Sequence, residues 1–212
     1  VALAEVFRRT ARSALHDREM LLVELEHRVK NSFASIAGVM RLQMRDASPE
    51  ARDLLQSALG RVESYARAYS YLRFQFDDTG SVVLGDYLRD LCKALEETAT
   101  HDRRIAFECR ADGTAVPRDK AITIGLLVNE VATNSVKHAF RDRGGTVTVA
   151  FETREDGKVL TIADDGPGMR VNGESSGLGR RLIDALAMQA GGTVEVDSGA
   201  SGTAYTITFP AA

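Results

Sequence analysis

The residues with the clearest chemical potential lie on one predicted helical stripe. Glu130, Asn134, Lys137 and His138 follow one another at spacings of four, three and one, so a helix would turn their side chains toward one side. An amide oxygen can ligate Mg²⁺, and the cations can meet phosphate oxygens. The stripe therefore predicts a site for magnesium and a polyphosphate, although a merely solvated helix face would carry similar residues.

Two downstream segments supply complementary chemistry. Asp164 ends a predicted strand, and Gly166 and Gly168 follow it. A carboxylate at a strand end can accept the amino hydrogens of adenine, and glycines permit positive φ and close approach to a ligand. Gly177 and Gly179 open the next predicted helix, where backbone N–H groups and the positive helix end favour phosphate.

Four elements of the sequence, taken together and in the order in which they occur, resemble the ATP-binding fold shared by gyrase-type ATPases, large heat-shock chaperones, mismatch-repair ATPases and histidine kinases. They are the Asn134 helix, the Asp164 strand end with its glycines, the helix start Gly177-Leu178-Gly179, and Gly202-Thr203 before a last strand. Because all four occur together, the resemblance is far more specific than any one of them.

The resemblance implies a role for each matching residue. Asn134 would coordinate Mg²⁺ at the triphosphate of ATP, and Lys137 and His138 would contact phosphate oxygens. Asp164 would accept the adenine amino group, with Thr203 nearby through water. The glycine-bearing lid and phosphate cradle would consist of Gly166, Gly168, Gly177, Leu178 and Gly179. The family pattern Asp-x-Gly-x-Gly favours Asp164 over its neighbour Asp165 as the adenine ligand.

These residues require elements that position them, beginning with an N-terminal helical hairpin. Apolar residues from Leu22 to Met40 recur at spacings of three and four, which predicts one long helix to about residue 45. Ser48 and Pro49 are a helix-start signal, and a second helix is predicted from Pro49 to about Phe76. Such a hairpin should pair with another copy as a homodimeric four-helix bundle or fold against the second domain.

His27 lies at the heptad position farthest from the apolar positions of the first helix, so we expect it to face solvent. The run His27-Arg28-x-x-Asn31 resembles the motif of the HRXXN histidine kinases, relatives of the HWE group, and this resemblance covers nearly the whole chain. The chain has no tryptophan, so the Trp-x-Glu element of strict HWE kinases is absent. This absence favours the HRXXN branch.

The family resemblance implies phosphoryl transfer from ATP to the imidazole of His27, followed by transfer to an aspartate on a response regulator receiver domain. A neutral imidazole, with an ordinary pKa of about 6.5, is a competent nucleophile. Its N–H proton must leave, and the candidate bases are Glu26, Glu24 and Glu130.

Glu130 keeps other interpretations open. Many histidine kinases carry asparagine there, whereas gyrase-type ATPases place a glutamate that activates water. The alternatives are a GHKL-type ATPase that drives conformational change, and a degenerate kinase that serves as a phosphotransfer or scaffold protein. The N-terminal hairpin argues against the ATPase, and the intact Asn134, Asp164 and glycines argue against the degenerate kinase.

The predicted fold class is α+β: an antiparallel helical hairpin of the dimerisation and phosphoacceptor type, followed by an α/β sandwich ATP-binding domain of the GHKL (Bergerat) type. A turn-rich linker at Asp77–Ser81 sets the expected domains at residues 1–78 and 79–212. Residues 1–17 are expected to form a signalling helix. Because the chain begins at Val1 without methionine, we expect a sensor domain upstream of it.

Composition narrows the classes further. The 212 residues are 44% hydrophobic and 27% charged with a net charge of −3, which suggests an ordinary globular protein with no nucleic-acid partner. The absence of long apolar stretches and of a secretory signal predicts a cytoplasmic protein without a membrane span. Cys92 and Cys109 have no metal-like spacing and are expected to be small buried residues in a reducing compartment.

Overall fold

A computed structural model of the chain describes residues 28–71, 81–99, 104–141, 143–168 and 178–211. The expectations for His27, Glu24, Glu26, Gly177 and the 1–17 segment lie outside these ranges, as does most of the expected linker. The chain divides into two compact units, Val1–Ala66 and Arg67–Ala212. The sequence-based domain boundary near residue 78 stays a prediction.

Two helices form most of the described part of the first unit. Helix α1 covers residues 28–43, and α2 covers Pro49–Tyr71. The Ser48 hydroxyl oxygen accepts a hydrogen bond from the Ala51 N–H at 3.3 Å, so Ser48 caps α2 as its sequence predicts. An Arg41–Glu63 ion pair of 2.5 Å connects the two helices.

The second unit contains a five-stranded mixed sheet and a small two-stranded one. The large sheet has the order β2-β4-β5-β7-β6, with β2 and β4 parallel and the other neighbours antiparallel. The small sheet pairs β1 with β3, a strand that the sequence analysis did not predict. The strands are β1 Ser81–Val83, β2 Ile105–Ala111, β3 Ala115–Pro117, β4 Gly145–Arg154, β5 Gly157–Asp164, β6 Thr193–Gly199 and β7 Gly202–Pro210.

Three helices share one hydrophobic core with this sheet: α3 (Leu84–Ala99), α4 (Arg118–Asn134) and α5 (Leu178–Gln189). Side chains along β4, β5 and β7 alternate between more and less buried, and the more buried ones form the sheet's part of this core. Fully burying each aliphatic side chain stabilises the unit by about 1.5–3 kcal/mol. Representative core residues are Leu88, Leu91, Ile124, Leu127, Val147, Val149, Leu160, Ile162, Ile183 and Ile207. The predicted α+β class is confirmed.

The helix predicted to carry the stripe from Glu130 to His138 is not one continuous α-helix, and this expectation was wrong in its last turn. Helix α4 ends at Asn134, and Ser135–Ala139 form a π-helical turn. The Phe140 N–H donates to the Ser135 carbonyl at 3.0 Å, five residues back, and the Phe140 side chain is fully buried. Burial of this ring in the core favours a wider final turn that helix propensity alone does not predict.

Candidate functional site

The end of α4 carries the predicted polar stripe from the core to the surface. Glu130 is buried at 6% exposure, Asn134 is half-buried, and Lys137 and His138 are exposed on the π-helical turn. The four side chains therefore occupy different environments. Asn134 lies where the buried helix meets the surface, which suits a side chain that must both hold its orientation and reach a ligand.

Asp164 is a buried carboxylate at the end of β5, held by donors from three parts of the unit. Its Oδ1 accepts hydrogen bonds from the backbone N–H groups of Gly166 (3.0 Å) and Thr203 (3.3 Å). Its Oδ2 accepts one from the Ser135 hydroxyl at 2.8 Å. These hydrogen bonds hold the carboxylate in a fixed orientation. Because an ionised carboxylate oxygen can accept about two hydrogen bonds, Oδ2 retains capacity for a ligand donor.

Thr203 lies directly opposite Asp164 in the β5–β7 register and is buried. Its hydroxyl shares a 2.9 Å hydrogen bond with the Ser198 hydroxyl on β6. The structure thus brings Thr203 and Asp164 together, as the sequence-based site requires, and it orients Thr203 by a hydrogen bond from the neighbouring strand.

Asp165 is adjacent in sequence but has other partners. Its Oδ1 accepts a hydrogen bond from the Thr146 N–H at 2.9 Å, and its own N–H donates to the Thr146 carbonyl at 3.3 Å. The side chain is exposed and fastens the end of β5 to the start of β4. Its contacts therefore give Asp165 a structural role distinct from that of Asp164.

The two glycines after Asp164 have different functions in the fold. Gly168 has φ +75°, whereas Gly166 does not have positive φ, so only Gly168 uses the backbone freedom that glycine permits. A Cβ at Gly166 would lie 2.5 Å from the Ala139 Cβ, so glycine is needed there because the loop passes close to the π-helical turn.

The first turn of α5 runs beside the Asn134 amide. A Cβ built on Gly179 would lie 3.6 Å from Asn134 Nδ2, so the backbone of this helix start lies close to the amide. Helix α5 begins at Leu178. Exposed N–H groups of a helix start are well suited to phosphate oxygens.

Ser135 is the site residue that the sequence analysis missed. It donates to Asp164 across 29 residues of sequence, and its hydroxyl also lies 3.2 Å from the Val131 carbonyl. The sequence did not indicate Ser135, because a serine directly after Asn134 lies outside the helical stripe of polar residues.

Asn31, predicted on the phosphoacceptor helix, is exposed on α1.

The donor set can be tested against Mg²⁺. Within the described residues, His, Cys, Asp and Glu side chains do not gather in groups of three that could hold a metal. Mg²⁺ commonly takes one or two protein oxygens and completes its octahedron with water and substrate phosphates. The half-buried Asn134 amide fits such an ion only as part of a nucleotide complex.

In the part of the chain that the structure describes, no helix combines the length and the hydropathy that crossing a membrane requires.

Two family models match the chain. Residues 24–99 match a model described as histidine kinase, and residues 119–212 match one described as histidine kinase-, DNA gyrase B-, and HSP90-like ATPase. The first match includes His27 and Asn31, and the second includes Asn134, Asp164 and Thr203.

Two curated proteins that are similar to this chain are named as histidine kinases. The blue-light-activated histidine kinase 2 of Erythrobacter litoralis is 31% identical over 201 residues, which cover 89% of this chain and 56% of that protein. The sensor histidine kinase PdtaS of Mycobacterium tuberculosis is 27% identical, over 83% of this chain and 34% of that protein. The chain thus spans about half the length of the first relative and a third of the second.

Solved structures share the fold. The Erythrobacter litoralis blue-light activated histidine kinase superposes with a TM-score of 0.65 at 30% identity, covering 89% of this chain and 58% of that one. The Acinetobacter baumannii histidine kinase AdeS has a TM-score of 0.52 at 16% identity, over 85% of this chain and 95% of that one. The second likeness concerns the fold alone.

Proposed function

Since this chain belongs to the histidine kinase family, we propose that it is the core of a two-component sensor kinase. In this proposal it transfers the γ-phosphoryl group of ATP to His27 and then to an aspartate of a response regulator receiver domain. The observation that carries the nucleotide half of the proposal is the Asp164 carboxylate, held by the Gly166 and Thr203 backbone and the Ser135 hydroxyl.

Asp164 is proposed to select adenine. Its orientation is fixed before ligand arrives, so little ordering cost falls on the binding step. The remaining acceptor capacity of Oδ2 would receive the adenine amino group, while Thr203, opposite it on β7, would act through a water. Guanine carries a carbonyl oxygen where adenine carries the amino group, so it would face a carboxylate oxygen without a proton between them.

Asn134 and the start of α5 are proposed to hold the triphosphate. The amide would contribute one oxygen to Mg²⁺, which when bound supplies charge neutralisation on the phosphates. The closeness of Gly179 to Asn134 supports a phosphate position between the two elements. Lys137 and His138, exposed on the π-helical turn, would contact the outer phosphate oxygens, and Gly168, Gly177 and Leu178 would belong to the lid.

His27 is the proposed acceptor, and its match to the histidine kinase model supports this choice. The attacking nitrogen forms a bond to phosphorus as the bond to the leaving ADP oxygen breaks, and the imidazole N–H proton passes to a base. Glu130, buried on α4 one turn before Asn134, is one candidate for this base. Glu26 and Glu24 are the others.

Association and location form part of the same proposal. A homodimer through the helical hairpin and a cytoplasmic location, where ATP and a receiver domain are available, both suit a histidine kinase core. A sensor domain joined to this chain would provide the input signal, and the partial coverage of the longer relatives is consistent with that arrangement.

The test is incubation with γ-labelled ATP and Mg²⁺, followed by measurement of protein-bound label. We expect acid-labile, alkali-stable label on the parent protein and background label on His27→Ala. His16→Ala and His101→Ala are matched controls, because they remove other histidines that the proposal does not use. Both should retain label.

A second variant distinguishes loss of the phosphoryl acceptor, His27, from loss of ATP binding. Asn134→Ala should lose label because it no longer binds ATP with Mg²⁺, whereas His27→Ala should bind ATP normally. Release of free phosphate at equal rates by the parent and His27→Ala, with no bound label, would instead indicate an ATPase that drives conformational change.

A further inference from the structure

One row of side chains crosses the large sheet and ends in polar residues at the proposed nucleotide site. Residues that pair directly on neighbouring strands point to the same face of a sheet. The members of this row are Phe107 on β2, Val147 on β4, Asp164 on β5, Thr203 on β7 and Ser198 on β6. The polar half of the row therefore continues one strand beyond the proposed adenine contacts, to the edge strand β6.

Ser198 occupies a position where the pattern of β6 would place an apolar side chain. The less exposed face of this strand carries Val194, Val196 and then Ser198 at every second position, and the two valines pack against the hydrophobic core. A polar group that takes a half-buried position in such a series needs a hydrogen-bond partner. The Ser198 hydroxyl has one in the Thr203 hydroxyl, at 2.9 Å.

The direction of this bond decides what Thr203 can offer a ligand. Each hydroxyl carries one proton and can also accept. The row continues from Thr203 to the Asp164 carboxylate, which accepts a hydrogen bond from the Thr203 backbone N–H at 3.3 Å. Hydrogen bonds in a chain strengthen one another when their protons point the same way. A chain that points toward the carboxylate has Ser198 donating to Thr203, which leaves the Thr203 hydroxyl proton for the base.

We propose that Ser198 is a positioning residue that determines base specificity, because its hydroxyl makes Thr203 a hydrogen-bond donor toward the adenine ring nitrogen N1. This inference rests on the proposed ATP site, in which Asp164 accepts the adenine amino group and Thr203 acts through a water. Adenine presents a donor, its amino group, beside an acceptor, N1. Guanine presents a carbonyl acceptor beside an N1–H donor, so the same pair of protein groups opposes it at both atoms.

A site that hydrogen-bonds a particular ligand atom discriminates against an analogue that lacks this atom. The analogue that isolates the Thr203 contact is 1-deaza-ATP, in which a C–H group replaces N1 and the amino group is kept. A role of Ser198 in general stability would change the affinity for ATP and for 1-deaza-ATP by the same factor. A role in specificity changes the ratio of the two affinities.

The experiment measures the dissociation constants of both nucleotides for the whole chain in the presence of Mg²⁺. We expect the parent to bind ATP about fivefold to tenfold more tightly than 1-deaza-ATP. In Ser198→Ala this preference should shrink to less than about twofold, whereas Ser198→Thr keeps the hydroxyl and should retain the preference. Ser201→Ala is the matched control, because it removes an exposed serine from the turn between β6 and β7, and it should behave as the parent does.

A preference that stays at the parent's value in Ser198→Ala would overturn this inference alone, as would a parent that binds ATP and 1-deaza-ATP equally. A parent that binds neither nucleotide would overturn the proposed function and this inference with it. Ser198→Cys decides the question if Ser198→Ala does not fold, because the thiol is close in shape but only a weak donor. It should also lose most of the preference for ATP.

Discussion

At the residue scale, Asp164 shows how a single side chain acquires a role from its partners. Two neighbouring aspartates end β5, but one is buried with donors from Gly166, Thr203 and Ser135, and the other is exposed and pairs with the backbone of β4. Sequence spacing favoured Asp164 through the family pattern, and the hydrogen bonds give that choice a physical reason.

Replacing Asp164 with asparagine should weaken ATP binding at least about tenfold. The amide turns one acceptor oxygen into a donor that opposes the Ser135 hydroxyl or the backbone N–H groups. Preference for ATP over GTP should also fall. Titration of Asp164→Asn and of the parent with ATP and with GTP measures both effects. Asp165→Asn is the matched control, because it should bind ATP nearly as the parent does. Equal affinity of the parent for ATP and GTP would contradict the adenine role.

Ser135→Ala should reduce ATP affinity about fivefold, a free energy of about 1 kcal/mol, because Asp164 loses one hydrogen bond that orients it. The cause is the loss of the 2.8 Å bond to Asp164 Oδ2. Thr123→Ala is the matched control, since that buried hydroxyl on α4 donates to the Asp119 carbonyl of its own helix. Similar affinity losses in both variants would indicate general destabilisation of α4.

At the element scale, the strand ends and the last turn of α4 set the positions of the site. The π-helical turn follows Asn134 and begins with Ser135. Asn134 is therefore available to the proposed phosphate site, while the next residue, Ser135, bonds to the Asp164 carboxylate. The β7 start brings Thr203 opposite Asp164 through the strand register. Small changes in these elements should therefore affect both stability and nucleotide binding.

Gly202→Ala should destabilise the second unit by at least about 2 kcal/mol. Gly202 has φ +129°, and an added Cβ would overlap the backbone oxygen of Asp164. Gly191→Ala is the matched control, because that residue also has positive φ (+78°) but has open space around its Cβ position. It should cost about 1 kcal/mol from backbone strain alone. Urea denaturation measures both, and equal losses would contradict the overlap.

Asp112 connects the end of β2 to β4 and predicts a dependence of stability on pH. Its carboxylate accepts hydrogen bonds from the Thr114 N–H (3.0 Å) and from the N–H and hydroxyl of Thr153 (2.8 and 2.7 Å). Slight burial opposes ionisation, but these bonds outweigh it and lower the pKa of Asp112 below its ordinary 3.8. The bonds therefore stabilise the fold above that pH, and the stabilisation is lost as the pH falls below it.

Asp112→Asn should consequently be less stable than the parent at pH 7, and the difference should narrow under acid conditions near pH 3. Because the group is partly accessible to solvent, we expect a difference of no more than about 1 kcal/mol at pH 7. Urea denaturation at the two pH values measures it. A difference that stays constant with pH would show that the charge of Asp112 is not responsible.

At the scale of the whole molecule, the helical hairpin exposes large apolar residues that a single copy leaves in water. Ile36, Val39 and Leu42 on α1 are 45%, 57% and 63% exposed, and Leu54 on α2 is 69% exposed. Such residues favour association of the hairpin with a second copy, as a four-helix bundle requires.

Leu42→Glu should weaken self-association at least about tenfold, because each chain would bring a charge into an apolar interface. Sedimentation at several protein concentrations measures the effect. Gln43→Glu, an exposed neighbour on the same helix, is the matched control for the added charge and should associate as the parent does. A monomeric parent at all concentrations would contradict the homodimer.

The sequence by itself determined the two N-terminal helices, the helix cap at Ser48, the α+β class and the family, because these follow from local periodicity, turn residues and short motifs. The nucleotide-site residues could also be proposed from their spacing. Lys137 and His138 entered this proposal because helical spacing would place them on the same side as Asn134.

Only the tertiary structure decided the π-helical turn, the β3 strand and the Ser135–Asp164 hydrogen bond. Each of these depends on residues that are distant along the chain and meet through packing. Local propensity cannot encode such meetings, because burying Phe140 and packing α3 on β2 are favourable only once the whole core has assembled.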